Sequence, residues 1–291
     1  MRSQKRLRDE LRFITEFNTL CDVIQQVAVS QLQRADEQLG SQPNLSELLA
    51  REFFPLLPPS AREAPFARSG RQGRLLVVLT SDEGMVGPLH ANVVRHALGY
   101  AEPTARWILI GQRGLRLLGE QAASARVMPI PGEDQVEAQM RRLSQVLLRQ
   151  FTEEALRDVW LVAPRFVSTT RQDVVAQQLL PLPARWAATP DGADALLIEP
   201  SVALVVEQLA ARWVECVCVE SFWSARRAEF AARALQMESS RQELAKQHLK
   251  LRYAFFKTLH ERVDVMVRET GVVQRLSEAR TTASPRSRER R

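Results

Sequence analysis

Two long stretches of this sequence contain neither glycine nor proline, the residues that most often interrupt an α-helix. One runs from Met1 to Leu39 and the other from Ser201 to Thr270. Their composition predicts two uninterrupted helices, which at ~1.5 Å per residue would span about 58 Å and about 105 Å. Helices of that length exceed an ordinary globular core. The sequence therefore predicts a rod formed by the two chain ends, with a globular insert between them.

Several other features are scarce in the 291 residues, and each absence excludes a class of protein. No apolar run approaches the ~20 residues that a transmembrane helix needs. The charged first residues lack the apolar region of a secretory signal. There are three cysteines, Cys21, Cys216 and Cys218. An odd number in a long chain predicts buried thiols in a reducing compartment and argues against a disulfide framework.

The net charge of +6 is concentrated at the C-terminus, where residues 271–291 carry six basic and two acidic groups. The composition of this segment predicts a disordered basic tail. Charge elsewhere is close to balanced. The sequence therefore predicts no broad basic face of the kind that binds nucleic acid by neutralising phosphates.

Residues with catalytic or metal-binding chemistry are few and scattered. Cys216 and Cys218 lie two residues apart on a predicted helix, so they point to different faces and are poorly placed to share a metal. The Ser168–Thr170 segment has no base beside it in the sequence. The histidines lie far apart and lack metal-ligand spacing: His90, His96, His248 and His260. The sequence predicts no catalytic residue, no metal site and no bound cofactor.

The predicted N-terminal coiled-coil region, residues 1–54, carries an apolar residue at every seventh position of its first helix. The series is Leu7, Ile14, Cys21, Ala28 and Ala35. This spacing is typical of a coiled-coil seam. Four further apolar residues are expected to widen it: Phe17, Leu20, Ile24 and Val27. The alternative is an amphipathic helix packed on its own domain core, but the absence of a break favours the coiled coil. A short helical piece is predicted at Leu45–Phe54.

The middle of the chain, residues 74–200, has the pattern of an α/β domain. Short apolar runs predict strands at Arg74–Thr80, Trp107–Ile110 and Asp158–Ala163, with a candidate last strand at Ala195–Ile198. Helical patterns fall between them, at Leu89–Leu98 and Asp134–Phe151. Strands that alternate with helices predict a small, mostly parallel sheet.

A glycine pair follows the first predicted strand, at Gly84 and Gly87. Such a turn could cradle a phosphate at a helix N-terminus, which leaves open an α/β enzyme that binds a nucleotide there. The spacing is not that of a dinucleotide fingerprint, and no Gly-Lys-Ser/Thr follows as in a P-loop. Pro88 suits the first position of a helix. We expect a structural turn.

The predicted long helix at residues 201–270 changes character along its length. Its first part is rich in large apolar residues and is expected to pack on the sheet, whereas residues 238–247 are mostly polar. An apolar stripe then continues to a tip at Val263–Val267. An apolar helix end needs a surrounding surface. We expect another chain to supply it.

Several of these segments, taken in order, resemble the gamma subunit of F-type ATP synthases. Residues 7–14 are similar to the family's opening helix, and Thr80–Gly87 resembles its Ser-Asp-x-Gly-Leu-Cys-Gly turn. Further similar segments are Phe166–Ser168 and Ile198–Ser201. The most specific is Glu229-x-Ala-Ala-Arg233, which resembles Ser-Glu-x-Ala-Ala-Arg.

The resemblance implies a fold and a function. The fold is an antiparallel coiled coil of the terminal helices with a small, mostly parallel α/β domain inserted between them. The function is a non-catalytic central rotor shaft, which couples the ion-driven rotation of a c-ring to conformational cycling of the beta subunits. The implied partners are the alpha, beta and epsilon subunits and the c-ring, at the cytoplasmic face of a bacterial inner membrane. Whether the ion is H⁺ or Na⁺ stays open.

The resemblance also implies contact residues. Ile24 and Arg233 match family positions near a beta-subunit contact, and Val263 and Met266 fall where the upper shaft meets the same subunits. The stretch Arg212–Glu215, with Trp213, resembles a segment implicated at the c-ring.

Differences from the family pattern at the C-terminal helix and the extra basic tail indicate a divergent branch, for which the N-type ATPase of some bacteria is a candidate. The alternative function is a coiled-coil scaffold or nucleic-acid-associated protein that uses the arginines of residues 271–291.

Overall fold

The computed structural model describes residues 4–40, 44–182 and 198–282. It divides into two compact units: one combines the residues up to Val23 with those from Glu238 onward, and the other is Ile24–Met237. Within the described residues the chain forms six α-helices: α1 (Gln4–Gly40), α2 (Leu45–Leu48), α3 (Leu89–Leu98), α4 (Arg113–Leu118), α5 (Val136–Glu153) and α6 (Val202–Thr282). It also forms five strands: β1 (Gln72–Leu79), β2 (Arg106–Ile110), β3 (Ala125–Met128), β4 (Leu156–Ser168) and β5 (Arg171–Leu180).

In the first unit, α1 and α6 run antiparallel. Arg262 Nη1 donates to Gln4 Oε1 at 2.8 Å. Arg241 Nη1 lies 3.2 Å from Asp22 Oδ1. Residue numbers thus rise along one helix as they fall along the other, which confirms the predicted antiparallel pair.

The predicted seven-residue seam of α1 is confirmed by burial. Its members are buried in both units: Leu7, Ile14 and Cys21 in the first, and Ala28 and Ala35 in the second. The predicted widening is wrong for Phe17, Leu20 and Val27, which are exposed. At about 100° per residue, Leu20 and Val27 each lie about 100° from the seam residue that follows them, and Phe17 lies about 60° from Ile14 on the same side.

The second unit is built on a five-stranded sheet with the order β3-β2-β1-β4-β5. The pairs β2–β3, β1–β2 and β1–β4 are parallel, and β4–β5 is antiparallel. This confirms the prediction of a mostly parallel sheet. One face of the sheet packs with α5 and the buried residues of α1 and α6 in this unit, in a core that includes Leu147 and Trp213. The other face packs on α3 through Val93 and Val94.

Strands β3 and β5 are absent from the sequence prediction. Both form edges of the sheet, and the half-buried β5 mixes polar residues with valines, so neither reads as a continuous apolar run. The candidate last strand at Ala195–Ile198 lies outside the described residues except for Ile198, which is not in a strand.

Two predicted helical segments differ in detail from the structure. The helical piece after α1 is α2 followed by a π-helical turn at Leu49–Phe53. At the C-terminus, α6 passes through Gly271 and reaches Thr282, twelve residues beyond the predicted end of the long helix at residue 270. One glycine inside a helix costs only about 1 kcal/mol relative to alanine, which the neighbouring turns can offset. Residues 283–291 lie outside the described part. No described helix has an apolar stretch that could span a bilayer.

Candidate functional site

The turn after β1 is fastened to the next βα connection by side chains at its start. Thr80 Oγ1 donates to the Ile110 carbonyl at 2.9 Å and accepts from the Gly114 amide at 3.1 Å. Asp82 Oδ1 accepts from the backbone amide of Gln112 at 2.7 Å. These bonds hold the two connections together at the carboxyl edge of the sheet.

Both predicted turn glycines lie in this segment. Gly87 has a φ of +59°, a left-handed conformation that favours glycine. A Cβ at Gly84 would lie 2.7 Å from Arg113 Nη2. The intervening Met85 also has a positive φ, of 61°, and its side chain is 55% exposed. The turn thus exposes an apolar side chain to solvent, while Arg113 and Arg233 contact it at Gly84.

A buried hydrogen bond joins Ser81, at the start of the turn, to His90 on α3. The Ser81 hydroxyl donates to the Glu83 carbonyl at 2.9 Å, so its oxygen accepts from His90 Nε2, also at 2.9 Å. This assigns the hydrogen to Nε2 and leaves Nδ1 as an acceptor. Burial lowers the pKa of His90, with Arg113 and Arg233 acting in the same direction against Glu229.

Arg233 ties α6 to the turn. Its Nη2 lies 2.6 Å from Glu229 Oε1 and 2.8 Å from Glu83 Oε2. Its Nε donates to the Gly84 carbonyl at 3.3 Å. Arg233 is only 4% exposed, so in this structure its guanidinium serves the chain itself. Its assignment to a beta-subunit contact stays a prediction.

Glu229 joins two arginines on α6. It accepts from Arg226 Nη1 at 2.6 Å as well as from Arg233. Both guanidiniums also lie over the ring of Phe230, at centroid distances of 4.4 Å for Arg226 and 5.7 Å for Arg233. The buried carboxylate is therefore paired with two guanidinium cations, which offset the desolvation free energy that burial of its charge costs.

The stretch Arg212–Glu215 divides into exposed and buried residues. Trp213 is 2% exposed and meets Phe54 edge-on at a centroid distance of 6.5 Å. Trp213 is part of the core in this structure, and its assignment to the c-ring stays a prediction. Glu215 is buried and accepts from Arg212 Nη1 and from Arg141 Nε, both at 3.1 Å. Arg212 is half-exposed and remains available to a partner.

The predicted apolar tip is exposed in the first unit. Val263 is 49% exposed and Met266 is 67% exposed, and neighbouring valines share this surface. Ile24, which begins the second unit, is half-buried. The structure thus leaves Val263 and Met266 open to contact.

The remaining polar candidates have structural environments. Cys216 and Cys218 are buried free thiols, and burial raises the pKa of Cys218 to about 12. Ser168 Oγ accepts from the Arg171 amide at 3.1 Å in the turn between β4 and β5. Within the described part of the chain, no three His, Cys, Asp or Glu residues cluster in a way that could hold a metal ion.

The sequence prediction did not include the ion-pair partners of the candidate residues Arg233 and Glu215. Glu229 could have been found, because it lies four residues before Arg233 on the same helix. Glu83 and Arg141 carry no such signal, since they reach α6 from elements more than 70 residues away in sequence.

Comparison with known proteins gives a consistent family. A model of the ATP synthase family matches residues 3–258. Relatives include the ATP synthase gamma chain of Aromatoleum aromaticum, 23% identical over 255 residues, and that of Burkholderia pseudomallei, 25% identical over 259 residues. Each alignment covers 82% of this chain and 87% of the relative.

The fold is also similar to chains in solved structures. One is from the Euglena gracilis mitochondrial ATP synthase, OSCP/F1/c-ring, with a TM-score of 0.73 at 16% identity over 99% of both chains. Another is from the central stalk and c-ring of the Tetrahymena thermophila enzyme, with a TM-score of 0.56 at 17% identity over 76% of this chain and 98% of that one. The chain belongs to the ATP synthase family, and the sequence relatives described above are gamma chains.

Proposed function

We propose that this chain is the central rotor shaft, the gamma subunit, of an ion-translocating ATP synthase. The observation that carries the proposal is the antiparallel pairing of two long terminal helices whose far end exposes Val263 and Met266. Apolar side chains of this size favour a surrounding protein surface. The family match over residues 3–258 supports the same role.

The shaft works by differential contact. Ion flow through the membrane sector turns the c-ring, and the ring turns the shaft inside a hexamer of alternating alpha and beta subunits. Each orientation of an asymmetric shaft stabilises a different conformation of each beta subunit, which shifts populations and cycles the bound nucleotide. In this mechanism the catalytic residues belong to the beta subunits.

The helices suit the transmission of torque. The part of α6 from Val202 to Thr270 has no glycine or proline, the residues that most often interrupt the backbone hydrogen bonds of a helix. Buried seam residues, including Leu7 and Ile14, lock the two helices of the first unit together. Twisting one helix must therefore twist the other.

Partner contacts follow from exposure. Val263 and Met266 are assigned to the beta subunits, with Ile24 as a half-buried contributor. Arg212 is assigned to the c-ring, because its guanidinium is half-exposed while Glu215 and Trp213 are buried. The epsilon subunit is the remaining partner, and the assembly is peripheral at the cytoplasmic face of a bacterial inner membrane. The assignment to an N-type ATPase stays a prediction.

Co-expression with the alpha and beta subunits of the same genome tests the proposal. We expect a complex of the hexamer with one copy of this chain that hydrolyses ATP. In the complete membrane-bound enzyme, Met266→Glu should lower ATP-driven ion pumping at least about tenfold, because it would enclose an uncompensated charge. Glu269→Gln, an exposed change on the same helix, is the matched control and should pump normally. Failure of the correct partners to form an ATPase with this chain would refute the rotor role.

A further inference from the structure

The buried cluster that joins turn 81–87 to α6 has no part in the rotor contacts proposed above. Arg233 makes three bonds there: two with the carboxylates of Glu229 and Glu83, and one with the Gly84 carbonyl. Glu229 is buried, whereas the Glu83 side chain is 57% exposed. One guanidinium therefore bridges an internal carboxylate and a surface carboxylate on the turn.

Two buried polar atoms of this cluster have no hydrogen-bond partner within the described residues: His90 Nδ1 and Arg233 Nη1. The first is an acceptor, because the hydrogen of the neutral ring lies on Nε2. The charged groups that act on His90 are Glu229 and Arg233 from α6 and Arg113 from α4, and the backbone of Glu83 faces it from the turn. Protonation would convert Nδ1 into a charged donor, for which Glu229 is the carboxylate at hand.

We propose that Arg233 is a positioning residue that latches the Glu83–Gly87 turn to α6, and that protonation of His90 opens this latch. A proton taken from solvent binds Nδ1, and the imidazolium then draws Glu229 away from Arg233. Repulsion between the imidazolium and the guanidinium acts in the same direction. Arg233 then loses the carboxylate that orients its guanidinium toward the turn, its bonds to Glu83 and to the Gly84 carbonyl weaken, and the turn that carries Met85 becomes mobile.

The direction of the pH response follows from the environment of the ring. Burial lowers the pKa of His90 below its ordinary value, so the ring is neutral and the latch closed at neutral pH. As the pH falls below about 6.5, the open form gains protons before the closed form does, and the latch weakens progressively. The latch belongs to the chain itself; only its consequence for coupling rests on the proposed rotor function.

A spin label on the turn tests the latch in the full-length chain. Met85→Cys supplies an exposed thiol, while the native cysteines are buried. We expect an immobile nitroxide at pH 7.5 and roughly a threefold larger mobile fraction at pH 5.5, as for a two-state element whose population shifts. A label at Leu117→Cys, an exposed position of α4, should show no such change. An immobile Met85→Cys label at both pH values would overturn the proposal.

Three variants separate a latch from a passive structural role. In the Met85→Cys background, His90→Gln should lose the pH response, because an amide does not titrate. Glu83→Gln should make the label mobile at both pH values, and the matched control Glu120→Gln, on an exposed acid outside the cluster, should not. Retention of the pH response by His90→Gln, or wild-type behaviour of Glu83→Gln, contradicts the latch. If His90→Gln does not fold, the mobility of the Met85→Cys label in Glu83→Gln is the measurement that tests the latch. None of these readouts needs a partner subunit, so a failed rotor role leaves them unchanged.

Discussion

Replacing Trp213 with alanine tests whether the Arg212–Glu215 stretch packs the fold or binds a partner. The indole is 2% exposed and packs edge-on against Phe54. Truncation removes a large buried ring from the core that joins α6 to the sheet. Large-to-small changes of this type cost about 3–5 kcal/mol in the free energy of unfolding, and the lost aromatic pair is worth about 0.5–1.5 kcal/mol beyond area.

Such a loss is a large part of the stability of an ordinary domain, which is about 5–15 kcal/mol. We therefore expect Trp213→Ala to lower the urea midpoint of unfolding steeply. Trp213→Phe keeps an aromatic ring in the site and should cost much less. Arg212→Ala should change stability by at most about 1 kcal/mol, because its ion pair is half-exposed, while weakening attachment to the c-ring.

Urea unfolding followed by circular dichroism gives the stability of the three variants, and co-purification with the c-ring gives attachment. The reasoning fails if Trp213→Ala unfolds at the wild-type urea concentration and loses only its attachment to the c-ring. That result would place Trp213 at an interface and contradict the packing described here.

Three further predictions follow from the helices and the core. Leu251→Pro should abolish ATP-driven ion pumping by breaking α6, at a cost of about 3 kcal/mol or more, whereas Leu251→Ala should preserve it; full pumping by the proline variant would rule out a shaft at this position. Asp158 is bound by both arginine donors of Arg74 at 2.6 and 2.9 Å. Burial alone would raise the pKa of Asp158, but the hydrogen bonds from Arg74 and Arg157 outweigh it and hold the pKa below its usual value. The stability that ionised Asp158 contributes should therefore be present above about pH 4 and be lost as the pH falls through the pKa of the folded state. In urea titrations from pH 5 to 3, Asp158→Asn should lose less stability than the wild type does. Cys218 should resist thiol reagents at pH 8 until the chain unfolds, because burial raises its pKa to about 12; rapid labelling in the native state would contradict its burial.

Local sequence patterns carried much of the fold. The seven-residue series from Leu7 to Ala35 predicted the buried seam, because side chains at that spacing recur on one helix face whatever surrounds them. Apolar runs predicted β1, β2 and β4, since central strands are buried on both faces. The edge strand β5 was not predicted from the sequence, because most of its residues are only half-buried and its hydrophobic pattern is therefore weak.

The residues of the candidate site show which features local sequence patterns cannot predict. The sequence by itself determined that two long helices flank an α/β unit and that Gly84 and Gly87 form a turn. Only the tertiary structure decided that Arg233 is buried against Glu83, 150 residues away in the chain, and that Trp213 faces Phe54. Helical and strand periodicity depend on neighbours within a few residues. The burial of a side chain and the partner of a charge depend on which distant segments meet it, and packing alone settles that.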